Sequence, residues 1–314
     1  MMYHKICLSL LTASFLLAGA PVSVFAESEE NLPESLEEIE DSISLNVKGL
    51  LDSFDAIGNN VSMHYEDGSV YSYYCYYTDD TYVLEDSDSY IEAVSDDTNY
   101  FYDPGTDTLG RFLFLTEEAY EDYIQSRYDV GSYTFENETM ISITEEDGKV
   151  ALVTQCSEEK AAEFITELGY EPQEGDVVQW RYQIDPENSF ITSSSSVLIR
   201  NDGTETTLSE ESLNTEPEEY VFSSEITERL DSEDSRTVTI ITNPGTDQEA
   251  VFQETVGKGC SVAPIGYNDV LYTDEACTEE FSSNSDTESD VTLYAITNET
   301  DEETEETVQE ESEQ

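Results

Sequence analysis

The residue types that most often perform catalysis are too sparse here to form a recognisable active site. His64 is the one histidine beyond residue 26, so a Ser-His-Asp or Cys-His site would have to be built on it. It lies in a segment that alternates like a strand, where a half-exposed structural histidine is the commoner case. No His-Glu-x-x-His motif and no glycine-rich phosphate loop occurs. We therefore expect no catalytic residue, no metal site and no cofactor.

Carboxylates are abundant, with 73 Asp and Glu residues. A pair of carboxylates across a cleft is what glycoside hydrolysis needs, but the sequence singles out no pair. The acidic clusters lack the ligand spacing and the fixed glycine of a calcium loop. They stand at residues 79–80, 85–88 and 96–97. We interpret them as solvated turns, which makes an extracellular hydrolase the least favoured function.

A tyrosine-rich segment at residues 71–77 places aromatic side chains on both faces of one expected strand. One face could line a ligand groove. The alternative, which we favour, is a buried strand in the middle of a sheet, with the tyrosine hydroxyls at its edge.

Four cysteines lie beyond residue 26, and an even number in an exported chain is compatible with disulfides. Cys260 and Cys277 lie close together in one short segment and are the favoured pair. Cys75 and Cys156 are the weaker pair, since both fall on strands whose adjacency is only inferred. Free buried thiols are the alternative.

The first 26 residues indicate where the chain works. Lys5 precedes an apolar run at residues 6–20, and residues 24–26 offer small side chains at the −3 and −1 positions of a cleavage site. This pattern is typical of a secretory signal peptide, and the run is too short for a stable membrane span. We expect a secreted protein, free or associated with the cell envelope, that begins near Glu27.

The formal net charge of −62 excludes two classes of partner. Such a surface repels nucleic acid and anionic lipid head groups. Residues 298–314 are rich in Glu, Thr and Gln and nearly devoid of apolar side chains, which predicts a disordered acidic tail. No segment after residue 26 resembles a membrane span, so no integral membrane segment is expected there.

Apolar residues that recur at intervals of three and four predict a long amphipathic helix over residues 36–57. Strand-like runs with short connections follow, which indicates antiparallel pairing. Two short helices are predicted, one from Thr116 and one from Ser157 to Leu168, where hydroxyl groups precede helix-forming residues. The strongest turn signals are Asp67-Gly68, Asp147-Gly148 and Asp202-Gly203.

This order of elements, with residues 180–187, Phe190-Ile191 and Asp202-Gly203-Thr204, resembles the periplasmic lipoprotein-carrier fold over residues 32–222. The resemblance implies a curved half-barrel sheet closed by helices around an apolar cavity. Such a cavity would hold a hydrophobic or lipid-like ligand. The strand residues that we expect to line it are Tyr73, Val83 and Phe112.

The C-terminal segment resembles a different family. Residues 237–240 lead into Asn243-Pro244-Gly245, and Gly259, Pro264 and residues 290–295 follow at suitable spacing. This pattern is similar to one copy of the Listeria/Bacteroides repeat, also called the internalin B-type repeat. Leu271 and Ile296 stand where that family usually has tryptophan. The resemblance implies a small β-grasp-like module used for display or adhesion.

These observations predict an α+β protein with a carrier-like domain at residues 27–230, an acidic linker, and a repeat-like module at residues 236–297. The favoured function is binding of an apolar or lipid-like ligand by the first domain. The module would then contact the cell envelope or a surface partner. The alternative is a purely structural or adhesive surface protein whose N-terminal domain is solid.

Overall fold

The computed structural model describes residues 32–43, 46–95, 99–130, 135–146, 148–266, 270–281 and 288–296. The expected signal peptide and acidic tail lie outside the described residues. The chain divides into two compact units. The first comprises Met1–Asp107 and Ile124–Val221, and the second comprises Thr108–Tyr123 and Phe222–Gln314. The second unit thus takes a segment from the middle of the chain, which no change in composition indicates.

The helices of the described residues are short, and the strands are numerous. The helices are α1 (Leu36–Glu40), α2 (Val47–Leu51), α3 (Glu117–Val130), α4 (Glu158–Glu167) and α5 (Ser224–Leu230). The first strands are β1 (Ile57–His64), β2 (Val70–Tyr77), β3 (Thr81–Asp86), β4 (Ile91–Ser95), β5 (Asn99–Asp103), β6 (Thr108–Phe114), β7 (Glu138–Glu146) and β8 (Lys149–Cys156). The others are β9 (Val177–Asp185), β10 (Phe190–Ile199), β11 (Glu205–Asn214), β12 (Ser235–Thr242), β13 (Ala250–Gly257), β14 (Ser261–Ile265) and β15 (Val291–Ala295).

The expected fold class is wrong, because the protein is mostly β. Strands hold 46% of the described residues and helices 16%. An α+β protein with a half-barrel sheet and a long N-terminal helix does not describe this chain. Among the described residues no helix is both long and apolar enough to cross a membrane.

The expected long N-terminal helix is two helices of five residues each, and Ile57 instead begins β1. The first helix ends where the Ser42 hydroxyl donates to the Ile39 carbonyl at 2.9 Å. The second begins at Asn46, whose side-chain carbonyl accepts from the Gly49 amide at 2.7 Å. Internal caps of this kind interrupt a helix even where the apolar spacing continues through them.

The described part of the first unit contains one antiparallel sheet, with strand order β5-β4-β3-β2-β1-β11-β10-β9-β8-β7. The expected turns between β1 and β2 and between β10 and β11 are confirmed. Gly68 and Gly203 stand there with φ of 83° and 81°, a backbone region in which glycine is unstrained.

One face of this sheet, which we call the helix face, packs against helices. An aromatic cluster there joins α2 and α3 to the middle strands, and its buried members are Val47, Leu50, Leu51, Ile57, Cys75, Tyr77, Tyr82, Tyr128 and Phe190. A second cluster joins α1 to β8, β9 and β10, through Ile39, Ile43, Phe135, Val150, Leu152, Tyr182, Ile184 and Ile191. A third packs Ala161, Ile165 and Leu168 of α4 on Val178, Leu198 and Leu208. The two short helices expected after residue 115 are confirmed, with caps at Thr116 and Ser157.

The described strands of the second unit form two groups. The strand β14 pairs in parallel with β6, while β12 pairs antiparallel with β13 and in parallel with β15. Arg111 on β6 contacts Asp231 at 2.5 Å and Glu254 at 3.6 Å. The buried residues Ile226 and Leu230 anchor α5 in this unit.

Candidate functional site

The centre of the helix face is polar, although apolar clusters flank it. Register places five side chains there, on β1, β10 and β11, and we call them the polar centre: Asn59, Ser194, Ser196, Ser209 and Glu211. They share one face because directly opposed residues point to the same side of a sheet. The four neutral members are 0–8% exposed. Burial of so many polar groups in the middle of a sheet is unfavourable unless each finds a partner.

Hydrogen bonds satisfy most of the polar centre. The Asn59 Nδ2 group donates to Glu211 Oε1 at 2.7 Å, and the Ser194 hydroxyl donates to Glu211 Oε2 at 3.3 Å. The hydroxyls of Ser196 and Ser209 share a bond of 2.6 Å. The Glu211 carboxylate therefore joins three strands.

One buried acceptor in the polar centre has no hydrogen-bond partner. Asn59 is 1% exposed, and its Oδ1 atom has none in the structure. A rotated amide would not help, because a carboxylate only accepts and the Asn59 Nδ2 group must therefore face Glu211. A buried acceptor left in this state costs about 1–3 kcal/mol. A donor from a bound molecule would remove that cost.

Aromatic side chains and a thiol adjoin the polar centre on β2 and β3. Cys75 lies directly opposite Asn59 in the pairing of β1 with β2, and it is fully buried. Burial, and then the negative charges of Glu92 and Glu211, raise the pKa of the Cys75 thiol to about 12. Burial also raises the pKa of Tyr77 well above its ordinary value. The thiol is therefore protonated at neutral pH and is no nucleophile.

A buried ion pair lies at the β4 side of the helix face. Arg127 Nε on α3 lies 2.6 Å from Glu92 Oε1, and the two side chains are 12% and 10% exposed. The Arg127 guanidinium also lies over the Tyr82 ring, 5.9 Å from its centroid. The arginine thus offsets the charge of Glu92 and packs against the aromatic cluster.

A half-buried carboxylate, on the edge strand β7, belongs to the α1 side of the helix face. Glu138 accepts hydrogen bonds from Thr154 and from the Tyr182 hydroxyl, the latter at 3.2 Å. Burial, together with the nearby charge of Glu40, raises the pKa of Glu138 to about 7, although both hydrogen bonds oppose the shift. Thr154 lies opposite Trp180, the one tryptophan of the chain.

The residues expected to line a cavity do not share one surface. Tyr73 packs against the aromatic cluster on the helix face. Val83 pairs with Tyr76 and so lies on the opposite face. Phe112 belongs to the second unit, where it packs against Tyr123 with ring centroids 5.3 Å apart. Only Tyr73 therefore lies on the face that carries the polar centre.

The interpretation of the tyrosine-rich segment as a buried central strand agrees with the structure. The strand β2 lies between β1 and β3, and Tyr76 and Tyr77 are 6% and 0% exposed. Tyr76 packs on the opposite face against Tyr220, with ring centroids 6.2 Å apart.

The four described cysteines are free thiols. Four strands separate the strand of Cys75 from that of Cys156, a distance of five steps of about 4.8 Å along the sheet. That spacing rules out a Cys75–Cys156 bridge, which needs Cα atoms within about 7 Å. Cys260 and Cys277 are not joined either. The Cys260 thiol lies 3.6 Å from the Arg229 carbonyl, while Cys277 occupies a turn with φ of 51°.

His64 has an ordinary structural setting. Its Nε2 atom lies 3.3 Å from a carboxylate oxygen of Glu210, which is 63% exposed. Within the described part of the chain, no group of three His, Cys, Asp or Glu side chains is arranged to hold a metal ion.

Sequence reasoning missed the polar centre, although a signal was present. Residues 192–196 of β10 form an unbroken run of Thr and Ser between apolar residues. A polar run inside a strand with buried ends marks a polar patch on the covered face. The contact between Asn59 and Glu211 spans 152 positions, so the strand pairing that creates it has no local signature.

Comparisons with known proteins leave the family open. No protein-family model and no curated protein matches the chain. Among solved structures, "GphF Dehydratase 1" is 8% identical over 52% of this chain and 76% of that one, with a TM-score of 0.15. An isomerase-inactive variant of GphF DH1 is 8% identical over 54% and 77%, with a TM-score of 0.13. Scores this low carry no argument about fold or function.

Proposed function

We propose that this chain is an exported, non-enzymatic binding protein whose first unit holds an amphiphilic ligand on the helix face. The head group would lie at the polar centre, and the apolar body would lie along the aromatic cluster. The observation that carries the proposal is the Oδ1 atom of Asn59, which is buried and has no hydrogen-bond partner.

The surroundings of this acceptor suit an amphiphile. Its neighbours across β2 and β3 are the apolar and aromatic members of the aromatic cluster, with Tyr73 and Leu84 packed against them. Ligand sites of this type combine a mostly apolar wall with a few convergent polar groups. If these central positions served only stability, apolar residues there would make the folded state more stable.

The second unit would supply contact with other molecules. Its strands β12 and β15 contain residues 237–240 and 291–295, which are part of the likeness to the Listeria/Bacteroides repeat. We propose that this unit attaches the protein to the cell envelope or to a surface partner, while the first unit binds the ligand.

The binding proposal predicts a difference between two adjacent asparagines. Asn59 and Asn60 lie on opposite faces of β1, and only Asn60 is exposed. The neutral fluorescent amphiphile N-phenyl-1-naphthylamine should bind the wild-type protein saturably. The Asn59→Leu variant should bind at least about 10-fold more weakly, because leucine has a similar size but offers no acceptor, a loss of roughly 1.4 kcal/mol.

The Asn60→Leu variant is the matched control and should bind like wild type. Circular dichroism should show that both variants are folded. Absence of saturable binding to the wild-type protein would refute the proposal in favour of a solid structural or adhesive unit. Equal binding by the two variants would remove the polar centre from the site.

A further inference from the structure

We propose that the polar centre selects a ligand whose head group is a cation with N–H donors, such as a primary or secondary ammonium group. This inference rests on the proposed function and specifies the ligand class. The geometry points to it because the Asn59 Oδ1 atom and the Glu211 carboxylate, which would face the head group, are both acceptors, and the carboxylate is negatively charged.

Asn59 and Glu211 both offer hydrogen-bond acceptors to a head group. The Oδ1 atom of Asn59 accepts, and so does the Glu211 carboxylate, which already receives hydrogen bonds from Asn59 and Ser194. A head group placed against these atoms must therefore donate. A carboxylate or phosphate head offers no donor when ionised, and it would leave the buried oxygen of Asn59 unpartnered.

The negative charge of Glu211 favours a cationic head group. Besides burial, the charges of Glu92 and Glu211 raise the pKa of the Cys75 thiol, so their negative charge reaches the residue opposite Asn59. Arg127 lies against Glu92 and offsets that carboxylate. The charge of Glu211 acts from inside the polar centre itself. In a buried site such a charge favours a cation and disfavours an anion far more than in water.

The cation must also carry an N–H group. A quaternary ammonium ion carries the charge but has no N–H, so it cannot satisfy Asn59. An alcohol donates a hydrogen bond but carries no charge. A cation with at least one N–H, such as a protonated amine, meets both requirements, and hydrogen bonds between charged partners are about twice as strong as neutral ones.

Four probes with the same ten-carbon chain separate the effect of the positive charge from that of the N–H donor. They are decylamine, decyltrimethylammonium, decanol and decanoate. Each would displace N-phenyl-1-naphthylamine from the full chain below its micelle concentration. A background of roughly 0.5 M NaCl shortens the screening length to about 4 Å and suppresses attraction to the acidic surface. Decylamine should bind at least about 10-fold more tightly than decyltrimethylammonium or decanol, and decanoate should bind most weakly.

Two variants complete the test. Glu211→Gln should bring decylamine and decanol to within about threefold of each other, because the charge inside the polar centre is gone. Glu210→Gln removes a charge from the neighbouring residue, which is exposed on the opposite face, and should keep the full preference. Equal affinity for all four probes would overturn this inference and leave the proposed function standing. Failure of every probe, with no binding of the fluorescent amphiphile, would overturn the proposed function itself.

Discussion

Replacement of Arg127 by methionine is expected to lower the free energy of unfolding by about 3–5 kcal/mol. The substitution leaves the Glu92 carboxylate 10% exposed and without the guanidinium that lies 2.6 Å from it. It also removes the cation from the face of the Tyr82 ring. A buried carboxylate without its partner carries a large desolvation cost, which methionine cannot offset although it has nearly the same length. Urea denaturation followed by circular dichroism would measure the change.

Two further variants show whether the charge is the cause. The double variant Arg127→Met with Glu92→Gln should recover much of the loss, because no buried charge then remains. Arg181→Met is the matched control, since Arg181 and Glu205 form a pair that is 41% and 51% exposed. Exposed pairs of this kind contribute at most about 1 kcal/mol. A loss below that value for Arg127→Met would show that this ion pair does not stabilise the helix face.

Glu138 is expected to make the first unit less stable as the pH rises through about 7. The pKa of Glu138 is about 7 in the folded protein, above the ordinary value of 4.5 for a glutamate. The folded state therefore binds more protons than the unfolded state between these two values. The stabilisation is fully present below the unfolded pKa and is lost as the pH rises through the folded one. The upper bound on the effect is about 3 kcal/mol.

The Glu138→Gln variant isolates this effect, because glutamine does not titrate. Its free energy of unfolding minus that of wild type should increase by up to about 3 kcal/mol between pH 4 and pH 8. Glu145→Gln, an exposed change on the same strand, should show no such trend. Fluorescence of Trp180 provides the readout, since Thr154 lies between it and Glu138. Parallel pH profiles for wild type and Glu138→Gln would contradict the assignment.

Local features of the fold were predictable from the sequence. The Asp-Gly turns at Gly68 and Gly203 and the caps at Thr116 and Ser157 depend on neighbouring residues, and all stand where expected. The N-terminal helix was not predictable in the same way. Ile39 and Ile43 serve one cluster while Val47, Leu50 and Leu51 serve another, yet together they give one continuous apolar stripe.

The candidate site depends on strand register and long-range strand pairing, which the sequence indicates only weakly. Tyr73 lies on the expected face, whereas Val83 lies on the opposite face, because its register with β2 cannot be read from the sequence. Glu211 reaches Asn59 only through the pairing of β1 with β11. In an acidic chain with 73 carboxylates, no local signal distinguishes the one that joins three strands.

The most direct test of the central claim is native mass spectrometry of the protein from its natural source, purified without detergent. The account predicts a mass excess of one small amphiphile per chain, lost on denaturation and absent from the Asn59→Leu variant. Solvent extraction should recover a molecule with an apolar body and a head group that donates hydrogen bonds. A wild-type mass equal to that of the polypeptide alone, together with no uptake of added amphiphile, would contradict the claim.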